Sequence, residues 1–170
     1  SQLKNAGGQF NTWAVQHMPK SFGQTQKGRP QNLVYDMADD EALIVEHDDP
    51  GPVYWGHQLA DRYARGTDPA YFQSSLNARQ ARKDSDGRYR MVVANHDPGV
   101  PNWLDTAGEA WGIIQMRWNR CSEQPEPTVT KVALKDVRKL LPPDTPVVTP
   151  ADRKQQLQLR REAAQFRRLW

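Results

Sequence analysis

Gly112-Ile113-Ile114-Gln115-Met116-Arg117-Trp118-Asn119-Arg120 is the stretch that decides the fold. Ile114, Met116 and Trp118 fall on one side of an extended chain, and Gln115, Arg117 and Asn119 on the other. A period of two with one wet face is the pattern of a β-strand. Upstream, Arg88–Asn95 places Tyr89, Met91 and Val93 on one side and Val92 and Ala94 on the other, so this strand is expected to have little exposure. Asp84-Ser85-Asp86-Gly87 before it reads as a hairpin turn from Ser75–Ala81. Further out, Val53–Leu59 puts Val53, Trp55, His57 and Leu59 on one face, with Tyr54, Gly56 and Gln58 opposite. Asn32–Met37 and Ala42–Glu46 are short strands parted by the turn-forming Asp39-Asp40. The breakers are Asp48-Asp49-Pro50-Gly51-Pro52, Gly66-Thr67-Asp68-Pro69 and Asp97-Pro98-Gly99-Val100-Pro101. Short strands and turns without a helical crossover predict a mainly β protein, an antiparallel β-sandwich or barrel.

The flanks differ in character. Residues 1–31 form an opening segment anchored by Phe10, Trp13, Val15 and Met18, partly helical around Thr12–Met18. Residues 32–122 are the β body, and residues 123–170 read as a Pro-rich linker and a basic C-terminal helix, packed on the body or a partner. Leu134–Leu141 is a short helix stopped by Pro142-Pro143. Thr149-Pro150-Ala151-Asp152 is a helix start, with Thr149 as N-cap, Pro150 at the first helical position and Asp152 facing the dipole. The apolar stripe that follows is sparse, so the helix is expected to pack on something.

Composition sets outer limits. Leu, Val, Ile and Phe supply only 31 of 170 residues, below the usual level for a globular core. Net charge is only +3, and six Trp, five Tyr and four Met can supply the missing volume. No apolar run reaches the length of a membrane helix. Cys121 is the single cysteine, which excludes an intrachain disulfide and a Cys-based zinc cluster. With no signal peptide in the chain, the cytoplasm is the default compartment, although it starts at Ser1 and not Met. Residues 151–170 carry a net charge of +4, which leaves −1 on the other 150. Between Arg29 and Arg62 there is no Lys or Arg but a run of acids. Basicity confined to one terminal segment argues for a solvated helix end, or for docking on an acidic partner surface, and against nucleic acid.

Asp97-Pro98-Gly99-Val100-Pro101-Asn102-Trp103-Leu104-Asp105-Thr106-Ala107-Gly108 is the most distinctive segment. It resembles the signature of the bacterial family known as domain of unknown function 1214. Asp40–Glu46, Tyr54-Trp55 with Gln58-Leu59, Ser75–Asn77 with Gln80-Ala81, Asp86–Arg88 and the ending Leu141-Pro142 to Ala151 agree in order and spacing. The resemblance spans roughly Asn32 to Trp170. It implies a jelly-roll-like sandwich, part of a longer protein that often carries domain of unknown function 1254 upstream, and it implies no particular reaction. The chain departs from the family's habit at Asn95, His96, Glu109 and His57.

Two readings of the loop stand side by side. In one, Pro98 and Pro101 stiffen the backbone, Gly99 takes positive φ, Trp103 plugs the sandwich and Asp105 caps the N–H groups of Ala107 and Gly108. In the other, Trp103 is a stacking platform and Asp97 and Asp105 are polar anchors of a pocket. The ligand-binding set this suggests is Trp55, His57, His96, Asp97, Asn102, Trp103 and Asp105. His17, His47, His57 and His96 never stand at metal-ligand spacing, and Glu46-His47-Asp48-Asp49 reads as a solvated acidic turn, so no metal is expected. His57 is expected to be a satisfied core histidine, and Cys121 an inert thiol. No Gly-rich phosphate loop or other cofactor motif is present. The sequence therefore predicts a jelly-roll-type sandwich with a C-terminal helical extension. It would bind a small molecule or make assembly contacts within a larger protein or homo-oligomer. The alternative is a hydrolase or lyase using the carboxylates of the Asp97–Asp105 loop beside His96, so enzyme activity is left open.

Overall fold

The computed structural model describes residues 8–15, 31–51, 54–120 and 125–166. Among the described residues there are nine strands: β1 (Trp13–Val15), β2 (Gln31–Asp36), β3 (Glu41–His47), β4 (Tyr54–Asp61), β5 (Ser75–Asn77), β6 (Tyr89–Ala94), β7 (Trp103–Asp105), β8 (Trp111–Asn119) and β9 (Thr128–Ala133). A 3-10 helix (Leu134–Leu140) and the α-helix α1 (Pro150–Gln165) follow. One sheet has the order β1-β2-β8-β4-β5 and the other β7-β6-β3-β9. The protein is a β-sandwich with a C-terminal helix.

The inward rows of both sheets form the main core. β8 supplies Ile114, Met116 and Trp118, β4 supplies Trp55 and Leu59, and Leu43, Val45, Met91 and Val93 face them from β3 and β6. These are the faces that period-two alternation assigns. β3 and β6 are apolar on both sides because their outer face is covered too. Ala42, Ile44, Val92 and Ala94 lie beneath Val100, Trp103, Val137 and Leu141.

Several expectations are corrected. Residues 13–15 are a strand paired with β2, not helix; the rest of the expected turn, 16–18, lies outside the described residues, as does Cys121. Asp84–Gly87 is a tight turn, with the Gly87 N–H on the Asp84 carbonyl at 2.9 Å, but it joins no hairpin. β5 ends at Asn77, and β5 and β6 belong to different sheets. β7 pairs with β6 in parallel, so the sandwich is not wholly antiparallel. The expected Pro-rich linker contains β9, which completes the second sheet along β3, so the β body does not stop at residue 122. The short helix and the cap of α1 stand where expected. The Thr149 hydroxyl accepts from the Asp152 N–H at 3.2 Å, and the Asp152 carboxylate accepts from the Thr149 N–H at 2.9 Å.

Candidate functional site

The loop between β6 and β7 is built around Asp97. Its Oδ1 accepts the Gly99 N–H at 2.8 Å, and Gly99 sits at φ 70°, where a side chain would be strained. The chain then passes through Asn102, whose side chain accepts the Arg82 N–H and donates to the Arg82 carbonyl, both at 2.7 Å. Asn102 is thus a staple between two loops, not a ligand group. Trp103 follows, 6% exposed, its indole N–H donating to the Ala94 carbonyl at 2.9 Å. Asp105 accepts the Ala107 N–H at 2.8 Å and holds Ala107 in the left-handed region at φ 55°.

The C-terminal segment closes over this loop. Arg153 of α1 is buried. Its Nε donates to Asp97 at 2.8 Å, one Nη donates to the Val100 carbonyl at 2.7 Å, and the other donates to Gln156 at 2.8 Å. Its guanidinium carbon lies 5.0 Å from the Trp103 ring centroid, a cation–π distance. Arg138 donates to the Gly99 carbonyl at 2.8 Å, and the Val148 N–H does so at 2.9 Å. Asp97 is therefore a partner of Arg153, not an unspent anchor. Beside this pair opens a cleft of about 480 Å³, walled by Trp103, Val148, Pro150 and Leu157, with Asp105 at its edge and Lys154 and Arg161 on its rim. Burial pushes the Asp105 carboxyl up, partly offset by the Ala107 N–H, with Asp97 adding a further upward push.

The other expected site residues are elsewhere. His96 is exposed on the surface with Asp39, Nε2 to Oδ2 2.8 Å, and is not on the cleft wall. Trp55 and His57 lie in the inter-sheet core. There His57 meets His47, Nε2 to Nε2 3.1 Å, among Trp55, Tyr89 and Trp118. His47 is fully buried and does not belong to a solvated turn, because it continues the inward row of Leu43 and Val45 by one more step. The acids near it are paired within the chain: Glu46 with Arg88 and Arg90, Asp48 with Arg88, and Asp49 with Lys83. Nor is His57 fully satisfied, since its Nδ1 has no partner among the described residues. Among them no three His, Cys, Asp or Glu side chains gather as a metal set.

Sequence reasoning misses the cleft's second wall. One signal was available. Arg153 and Lys154 stand one turn into a helix, where the positive end disfavours cations, so something outside the helix must compensate. Asp97 does so for Arg153.

No protein-family profile matches the chain, and no curated protein matches it. Among solved structures it resembles an uncharacterised protein from Burkholderia cenocepacia, with 27% identity and a TM-score of 0.69 over 76% of this chain. The match spans only 37% of that protein's length. The VPA0106 protein from Vibrio parahaemolyticus matches at 15% identity and a TM-score of 0.48, over 61% of this chain and 31% of its own. Among the described residues no helix is long and apolar enough to cross a membrane.

Proposed function

We propose that the chain is a small-molecule-binding module of a larger protein, of jelly-roll type and related to the bacterial family of domain of unknown function 1214. The repeated crossing of the chain between the two sheets, along β2–β3–β4 and again along β7–β8–β9, supports the jelly-roll type. The single observation behind the binding role is the cleft beside Trp103: apolar walls, an indole already fixed by its N–H, and a few charged groups at the edge. The ligand is compact and flat, with its body against Trp103 and Leu157 and an acidic group toward Lys154 and Arg161. Membership of a larger protein or homo-oligomer is supported by the exposed Leu159 on α1 and Phe166 just after it, and by the small share of the Burkholderia protein that the chain matches.

The hydrolase or lyase reading has one feature in its favour, the raised Asp105 carboxyl beside Asp97. It is the weaker one, because Asp97 is held by Arg153 and His96 turns to Asp39. The test uses 2-naphthoate as probe, titrated while the Trp103 indole N–H resonance is followed. Saturable binding that falls about tenfold in Leu157→Arg is expected, a loss of roughly 1.4 kcal/mol. A titration without saturation, or one indifferent to Leu157→Arg, removes the proposal.

A further inference from the structure

A second concavity lies on the other flank of α1. The outer face of β4, β5 and β8 is not covered by apolar side chains there. Register brings Ser75, Gln58 and Gln115 into one row and Asn77, Gly56 and Arg117 into the next. α1 stands over this face with Arg160, Ala163 and Ala164, leaving a trench of about 460 Å³. A helix laid on a sheet for packing alone would press apolar residues into it. Here α1 is tethered instead, by Arg160 donating to the Ser75 carbonyl at 2.8 Å, and the small alanines keep the gap open.

Gly56 makes the floor. A Cβ there would stand 3.2 Å from the Tyr54 hydroxyl and 3.4 Å from the Leu76 carbonyl, so glycine lets the Tyr54 side chain lie low across the sheet beside the trench. Gln58 and Gln115 make no side-chain hydrogen bond among the described residues, and the Asn77 and Gln80 carbonyls are spent on local turns while their NH₂ groups are not. Amides that both donate and accept match hydroxyl groups, which do the same. Neighbouring strands are roughly 4.8 Å apart, about the width of a sugar ring. Charge completes the match. Asp68 accepts the Ala70 N–H and Arg160 donates to the Ser75 carbonyl; both keep their charge, so Arg160 and Arg117 together outweigh Asp68 on the trench wall. Arg117 faces the trench with no acceptor among the described residues. Its planar fork suits a carboxylate.

We propose that this trench is a binding site for an acidic saccharide, whose carboxylate pairs with Arg117 and whose hydroxyls are read by Gln58, Gln115 and Asn77. It is separate from the cleft beside Trp103, although α1 walls both. The test is calorimetric titration of the full chain with trigalacturonate, with neutral maltotriose as the second arm. Trigalacturonate should bind saturably, and maltotriose about tenfold more weakly. Arg117→Ala should cost trigalacturonate about tenfold, and Ala163→Trp, which fills the trench from an exposed helix position, should abolish binding. Leu157→Arg should leave it unchanged, which separates this site from the other cleft. The proposal is overturned if trigalacturonate does not saturate, if Arg117→Ala binds as well as the parent, or if both saccharides bind alike.

Discussion

The hydrogen bonds of the two buried histidines fix where their protons are. His47 Nδ1 lies 2.7 Å from the Asp48 carbonyl, an acceptor only, so Nδ1 carries the proton and Nε2 is a lone pair. His57 must then donate from Nε2 across 3.1 Å, which leaves its Nδ1 as the bare acceptor found without a partner. A further proton on His47 would set two N–H groups against each other inside a wall of Trp55, Tyr89 and Trp118. Burial accordingly pushes His47 down to about 4 and His57 well below its ordinary value; Asp48 and Asp49 oppose the shift at His47, and Arg88 adds to it. The folded state thus takes up fewer protons than the unfolded chain below pH 6.5, and stability is lost as pH falls from there toward 4. At pH 5, His47 alone should cost about 2 kcal/mol relative to pH 7.5, with His57 acting in the same direction. Urea midpoints at the two pH values check this. The double variant His47→Phe/His57→Leu should flatten the dependence while keeping every carboxylate, and an equally steep loss in that variant would rule the histidines out. The inward face of His57 was legible from Val53–Leu59. The burial of His47 was not, because the acids beside it look like a solvated turn until Lys83 and Arg88 arrive from 34 and 40 residues downstream of Asp49 and Asp48 to neutralise them.

Elements were legible where both signals of a strand coincide, alternation and a buried face. β8 and β4 have both, and β6 declares itself instead by an apolar run between two turns. β9 (Thr128–Ala133) does not: it is a half-exposed edge strand without a fully buried residue, and Pro125 and Pro127 before it suggest a linker. β7 is three residues long and is held in the sheet by its partner β6 rather than by its own pattern. Asp84–Gly87 has the chemistry of a turn and is one, yet it joins strands of different sheets, because turn chemistry is local and sheet membership is not. For α1, the capping box was visible in Thr149 and Asp152, but the reason the helix stays in place was not. Arg153 is its only buried residue among those described, and its partners lie in the loop after β6. Arg153→Leu should therefore release α1 locally. It leaves Asp97 unpaired and removes the contact to Trp103, at a cost of about 3 kcal/mol. Hydrogen exchange should show amides of 150–165 losing protection while those of β3, β6 and β8 keep theirs. Uniform loss across both regions would mean that α1 and the sandwich unfold as one unit.

At the scale of the whole molecule, the low content of Leu, Val, Ile and Phe is resolved by where the apolar residues are placed. The inter-sheet core uses Trp55, Tyr35, Tyr89, Met91, Met116 and Trp118 beside a few aliphatics, and a second layer under the 3-10 helix covers the outer face of β3 and β6. Neither core cluster draws a residue from α1, and the last buried apolar residue before the helix is Val148. The helix walls both concavities yet takes no part in the core. Sandwich and helix should therefore separate thermodynamically. A chain ending at residue 149 should keep the dispersed amide spectrum of a β-sandwich and a single cooperative urea transition. Its denaturant slope should fall only in proportion to the small surface that α1 covers. The same truncation should remove binding of 2-naphthoate and of trigalacturonate together, since each site loses a wall. Collapse of the amide dispersion would show instead that the arginine tethers of α1 are part of what folds the sandwich. Retention of either ligand by the truncated chain would place that site on the sheets alone.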